Sequence, residues 1–165
     1  MYHTIDEFIA DWTEETKGTQ KILDALTDVS LKQGGLPDDR TLGKLGWHIA
    51  LCISEMMGQT GLMIESPKRD TPIPTSAKKI SSTYKTASEN FIKELKNKWT
   101  NETLNKEFDM FGFKWTGIMT LNSLIRHEIH HRAQMTILMR QAGLRVPGVY
   151  GPSKEEWAEM GMPTQ

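Results

Sequence analysis

Residues 116–141, TGIMTLNSLIRHEIHHRAQMTILMRQ, most narrow what this chain can become. Apolar residues recur there at helical spacing, which predicts one long helix. Three of the chain's five histidines, His127, His130 and His131, fall inside it. With His131 at zero on a wheel of about 100° per residue, Leu124 and Leu138 lie about 20° to either side and His127 about 40° away. His127 and His131 therefore share the main apolar face one turn apart, and His130 sits at its edge. Imidazoles at i and i+4 are neighbours on a helix. That spacing lets both reach one cation, as the paired histidines of helical zinc sites do. Inward histidines are also common as hydrogen-bonded core residues. Two neutral imidazoles on an apolar face need partners for their ring nitrogens, and a metal with outer acceptors would satisfy both.

The chain has 165 residues, the size of one domain able to bury a core, so a single domain over 1–165 is expected. Twenty basic residues face 21 acidic ones, for a net charge of −1. That balance argues against an electrostatic nucleic-acid binder. The single cysteine, Cys52, excludes an intramolecular disulfide framework and suits a reducing compartment. The start, MYHTIDEFIADW, has no basic region followed by an apolar run, so no signal peptide is read there. No stretch approaches the ~20 apolar residues of a membrane span. A soluble, cytoplasmic protein with no membrane partner is expected.

Residues 4–29 read as a first helix, with Thr4 and Glu7 in a capping-box pattern. Ile5, Phe8, Ile9, Trp12, Ile22, Leu23 and Leu26 form its apolar stripe. KQGGLPDDR (32–40) breaks it into a loop. A second helix is expected from 41 to 64. On its wheel His48 points inward with Leu45, Leu51 and Cys52, and Glu55 shares that face two turns on. An inward carboxylate is costly unless paired, so Glu55 is read either as an ion-pair partner or as a group near His48. A proline-rich loop (65–74) leads to a third helix over 75–98, with Ile80, Tyr84, Ala87, Phe91 and Leu95 inside and lysines on a solvated face. The segment 104–115, LNKEFDMFGFKW, alternates poorly. It reads as an irregular crossing with room for a short hairpin that places aromatics over one end of the bundle.

The long helix carries a second apolar stripe, Ile118, Ile125 and Ile129. A helix apolar on two sides needs two partners. A central place within one monomer gives the same pattern, and a homodimer is the expectation. Gly143 is placed to end the helix. Ser153 can cap a short last helix with Glu155 and Glu156 in its first turn, and Tyr150 and Trp157 are expected to pin this tail to the bundle.

The expected class is therefore all-α: four helices, a short fifth, and three inward histidines from two helices. Bundle cores commonly hold metals between facing helices. Three imidazoles suit zinc, nickel, iron or copper and leave open coordination positions.

Two blocks add a resemblance: LGKLGWHIALCISEM (42–56) and RHEIHHRAQMTILMRQAGLRVPGVYGPSKEEW (126–157). They look like the corresponding parts of the DinB/YfiT-like superfamily, named for DNA-damage-inducible proteins. The resemblance implies a four-helix bundle with up-down-down-up topology, usually dimeric. It implies a metal triad of one histidine on the second helix and an H-x-x-x-H pair on the fourth, here His48, His127 and His131. His130 lies outside that triad and is expected at the surface. Ala133 stands where the family often has glycine. Relatives include S-transferases and isomerases that use low-molecular-weight thiols, and proposed metal-dependent hydrolases.

The resulting expectation is a divalent metal (zinc, nickel, iron or manganese) that activates a low-molecular-weight thiol or water against a small electrophile. Glu55, Glu128 and Arg132 are the candidate catalytic or supporting groups, the carboxylates through a ligand's second ring nitrogen. The alternative is a non-enzymatic bundle stabilised by its metal. An open coordination site favours catalysis and a fourth protein ligand favours structure. Cys52, one turn from His48, is the available fourth group, although a buried inert thiol is the commoner fate.

Overall fold

A computed structural model describes residues 2–35 and 40–163. Four long helices carry it: α1 (Ile5–Asp24), α2 (Leu42–Gly58), α3 (Ala77–Lys98) and α4 (Gly117–Gln141). A hairpin of β1 (Glu107–Met110) and β2 (Phe113–Thr116) precedes α4, and a short α5 (Lys154–Glu159) ends the fold. α1 and α2 each pack against both α3 and α4, giving a four-helix bundle in up-down-down-up order. α2 and α3 are thus neighbours running the same way, which requires the long crossing of residues 59–76. Among the described residues no helix is long and apolar enough to cross a membrane.

Local chemistry explains the helix starts. Thr4 and Glu7 form the expected capping box, and Ser153 forms one with Glu156 at α5. Thr41, Ser76 and Thr116 cap α2, α3 and α4 through their hydroxyls. α4 ends in a Schellman motif. Gly143 is left-handed at φ 72°, its N–H meets Arg140 O at 3.0 Å, and Leu144 N–H meets Met139 O at 2.9 Å.

Two helices end before the apolar periodicity does. α1 stops at Asp24 rather than residue 29. Thr27 and Ser30 exchange backbone-to-hydroxyl bonds of 3.0 and 3.2 Å, and Asp28 accepts from Ala77 N–H of α3 at 2.7 Å. Side chains that bond the local backbone compete with the helix. α2 stops at Gly58 rather than residue 64, with Gly61 left-handed at φ 83°. Leu26 and Leu62 nonetheless stay buried, which is why the periodicity runs past both ends. Residues 36–39 of the expected 32–40 loop lie outside the described residues.

The segment 104–115 is more regular than its sequence suggests. β1 and β2 pair antiparallel in the register Glu107–Thr116 to Met110–Phe113. Their two-residue turn, Phe111 (φ 53°) and Gly112 (φ 91°), has both φ values positive, as a right-twisted hairpin requires. Phe108 stacks on Trp99 at 5.4 Å and ties the hairpin to the end of α3. The main core is a separate aromatic cluster, where Trp12 meets Phe91 edge-on at 5.2 Å and lies parallel to Phe8 at 6.0 Å. On α4, Ile125 of the second stripe is buried, while Ile118 and Ile129 are half-buried against the core.

Candidate metal centre

α2 and α4 are packed neighbours, so their inward faces bring His48 to His127 and His131. His127 Nε2 lies 3.3 Å from His48 Nε2 and 3.0 Å from His131 Nε2. Tetrahedral metal–imidazole bonds of about 2.0–2.1 Å would put ligand nitrogens about 3.3–3.4 Å apart. The cluster is close to that spacing.

The outer ring nitrogens of two of these imidazoles have partners of their own. His131 Nδ1 donates to Gln134 Oε1 at 2.8 Å. His127 Nδ1 lies 3.3 Å from Cys52 Sγ. The Nε2 atoms of the two rings meet at 3.0 Å, a distance at which one can donate to the other when no cation is bound. A cation would take the lone pairs of both Nε2 atoms, and bonds to the second ring nitrogen hold such imidazoles in place.

Burial, then the neighbouring His131 and His127, pull His48 down to about 4. Burial, then His131, does the same to His127, also to about 4. Burial lowers His131 as well. All three are therefore neutral near pH 7, the form that binds metal. Burial pushes the Cys52 thiol up to about 12.

Beside the cluster is a cavity of about 290 Å³. His48, Cys52, Glu55, Met56, Phe111, Trp115, Ser123 and His127 line it. The hairpin thus supplies two aromatic walls. Among the described residues no fourth His, Cys, Asp or Glu joins the three imidazoles. Cys52 meets the outer nitrogen of His127 and stands 3.9 Å from His48 Nε2.

The other sequence candidates separate. Glu55 borders the cavity, half-buried and 3.7 Å from the exposed Arg69. Glu128 turns away from the cavity. Its Oε1 accepts from Thr19 and Tyr84 at 2.7 and 2.8 Å, and its buried Oε2 has no partner among the described residues. Burial raises Glu128 to about 7. Arg132 pairs with Glu15 at 2.7 Å and also donates to Thr19, Glu15 O and Tyr150. Where sequence reasoning places a carboxylate on a ligand's second nitrogen, the structure places the Gln134 amide and the Cys52 thiol. His130 is exposed, as expected, and accepts from Gln134 Nε2 at 3.1 Å.

Gln134 and Arg40 are the two groups at the site that sequence reasoning misses. Gln134 had a signal: at i+3 from His131 and i+4 from His130, it can reach both. Arg40 had none, because a loop brings it within 3.5 Å of His131.

Comparison with known proteins agrees with this architecture. The family model described as DinB family matches residues 1–164. The uncharacterized protein YrdA of Bacillus subtilis (strain 168) is 45% identical over 162 residues, 98% of this chain and 97% of that protein. The crystal structure of a DinB-like protein from Bacillus cereus ATCC 10987 is similar at a TM-score of 0.88 and 47% identity, covering 91% of this chain and 100% of that one. A second DinB-like structure, YjoA of Bacillus subtilis, shares the fold at a TM-score of 0.67 and 20% identity, over 87% of this chain and 96% of its own. This chain belongs to the DinB family.

Proposed function

We propose that the chain is a metal-dependent enzyme that activates a low-molecular-weight thiol or water against a small electrophile, as an S-transferase or hydrolase. One observation carries the reading: three neutral imidazoles converge on one point, no fourth such group joins them among the described residues, and a cavity opens beside them. A structural site would be closed by a fourth protein ligand. A divalent ion bound there supplies Lewis acidity, which lowers the pKa of a thiol or water.

The chain's own residues do the rest. Gln134 and Cys52 orient the imidazoles of His131 and His127. Met56, Phe111 and Trp115 exclude water from one side of the reacting centre. Glu55 borders the cavity, where it can take or return a proton. Arg132 and Glu128 support the scaffold that holds α4 against α1 and α3.

A homodimer formed through the outer face of α4 is part of this proposal. Ile118 and Ile129 are only half-buried there, and Met119 and Ile137 are exposed. Sedimentation at the mass of one chain would rule it out.

The decisive experiment is elemental analysis of protein purified without a metal-binding tag, beside a His127→Ala/His131→Ala variant. About one divalent ion per chain, absent from the variant, supports the site and licenses a screen of thiols and electrophiles with that metal. No ion in the wild type, even after incubation with zinc, nickel and manganese, would reduce the cluster to core histidines.

A further inference from the structure

Phe111 is held in an unfavourable backbone conformation without being packed in the core. It takes the first position of the hairpin turn at φ 53°, where asparagine, aspartate or glycine is the usual residue. A bulky side chain is strained there, and more than half of its surface is exposed. Residues held in such conformations cluster where a protein meets its ligand. Phe111 lines the cavity beside the histidines.

The hairpin is anchored without that ring. Met110 is fully buried, Phe108 stacks on Trp99, and Gly117 N–H donates to Lys106 O at 2.9 Å where β2 passes into α4. A Cβ on Gly117 would lie 2.6 Å from Thr103 O and 3.1 Å from Leu104 Cα, so the backbones are in close contact there. The base of the hairpin is therefore fixed, and it carries Phe111 and Trp115 to the cavity. Trp115 is half-buried and lines the same space.

The rest of the lining is of one kind. α2 supplies the Met56 thioether and the Cys52 thiol beside His48. Glu55 is the one carboxylate in the lining, and Arg69 stands 3.7 Å from it. Two aromatic rings with a thioether between them and the histidines suit another ring. Aromatic faces and edges attract one another, and sulfur packs favourably at ring edges. A cavity of about 290 Å³ is at the small end of ligand pockets, with room for one ring.

We propose that the small electrophile of this centre carries an uncharged body of one ring, which lies against Phe111, Trp115 and Met56 while its reacting atom lies beside the histidine cluster. The inference rests on the metal-dependent reading above and adds the shape and polarity of the substrate. Phe111 and Trp115 are its specificity-determining residues. The strained turn places a ring at the mouth of the cavity, so Phe111 serves the ligand rather than the fold. A charge on the far side of the substrate's ring would have to leave water for these apolar walls, which is unfavourable.

Calorimetric titration of the zinc-loaded protein tests this with probes that share one metal-binding head. Benzohydroxamic acid carries the ring, and acetohydroxamic acid has a methyl group in its place. 4-Carboxybenzohydroxamic acid adds a charge to the ring. The zinc content of every sample is measured alongside. The wild type should bind benzohydroxamic acid at least about tenfold more tightly than acetohydroxamic acid, the scale of burying most of one ring. The carboxylate-bearing probe should lose most of that advantage. Phe111→Asn, which suits the turn, and Trp115→Leu should each cut the preference for the ring at least about threefold with zinc content unchanged. Zinc-loaded wild type that binds all three probes alike, or either variant keeping the full preference, overturns this inference and leaves the metal reading standing. A wild type that takes up no zinc overturns both.

Discussion

His127 Nε2 and His131 Nε2 face each other at 3.0 Å, one turn apart on α4, while their outer nitrogens are held by Cys52 and Gln134. Two imidazole nitrogens held this close, with His48 beside them, can share one cation. Zinc should therefore stabilise the fold. At free zinc about a thousandfold above its Kd, linkage gives ~4 kcal/mol. For a chain of this size that raises Tm by roughly 8–16 °C. Scanning calorimetry with and without zinc checks it, and the His127→Ala/His131→Ala variant should show no shift.

Gln134 is exposed, so its replacement should spare the fold and act on the metal alone. Gln134→Leu removes the acceptor from His131 Nδ1. Metal affinity should fall about 10- to 100-fold, the usual cost of losing such a partner. Competition with a chromophoric chelator reads it, and an unchanged affinity would show that Gln134 does not hold the ring.

The hairpin turn places Phe111 in left-handed backbone at φ 53° with 57% of its surface exposed. That conformation costs a residue with a bulky side chain roughly 1–2 kcal/mol, and Phe111 sits at the mouth of the cavity. Phe111→Asn should raise stability by up to about 1 kcal/mol, read as a higher urea midpoint, because asparagine tolerates the turn. A loss of stability would show that the Phe111 ring contributes more by packing than its backbone costs.

Arg132 is only 3% exposed, and its ion partner is Glu15 on α1. Glu15→Ala leaves that charge buried with only neutral partners, Thr19, Tyr150 and the carbonyl of residue 15, and should cost about 3 kcal/mol. Tyr150→Phe removes hydroxyl bonds to both Arg132 and Glu15 and should cost about 1 kcal/mol. Urea midpoints distinguish the two. Equal costs would mean that the tail, rather than the ion pair, holds this corner.

Two sets of buried groups give the metal-free protein opposing pH dependences. His48 and His127 fall from 6.5 to about 4, and His131 is lowered too, so protons bind them more weakly in the folded chain. Their neutral burial is free above 6.5, and stability is lost as pH falls from 6.5 towards 4. Glu128 is raised from 4.5 to about 7, so its contribution is full below 4.5 and is lost as pH rises through 7. Glu128→Gln removes the second dependence and keeps the first. Relative to wild type it should be more stable at about pH 8 than at about pH 5. The reverse order in urea midpoints would mean that Glu128 is ionised at little cost in the fold.

Periodicity and capping chemistry exposed most of the bundle in the sequence. The Thr4–Glu7 and Ser153–Glu156 boxes, the α4 span and the inward turn of His48, His127 and His131 all follow from contacts within a few residues, which spacing encodes. The ends of α1 and α2 did not follow, because Leu26 and Leu62 stay buried after the helix has stopped. Asp28 leaves the helical pattern to bond Ala77 of α3, a partner that no local pattern names.

The candidate site divides along the same line. The sequence by itself determined that three imidazoles would point inward from two helices, since a helical face is a property of spacing alone. Only the tertiary structure decided what surrounds them. Packing turned Glu128 and Arg132 into a network with Thr19, Tyr84 and Glu15, folded the hairpin so that Phe111 and Trp115 wall the cavity, and brought Arg40 to His131 from a loop. Those meetings join residues up to 117 positions apart. They arise from the way the helices pack together, which a one-dimensional pattern does not carry.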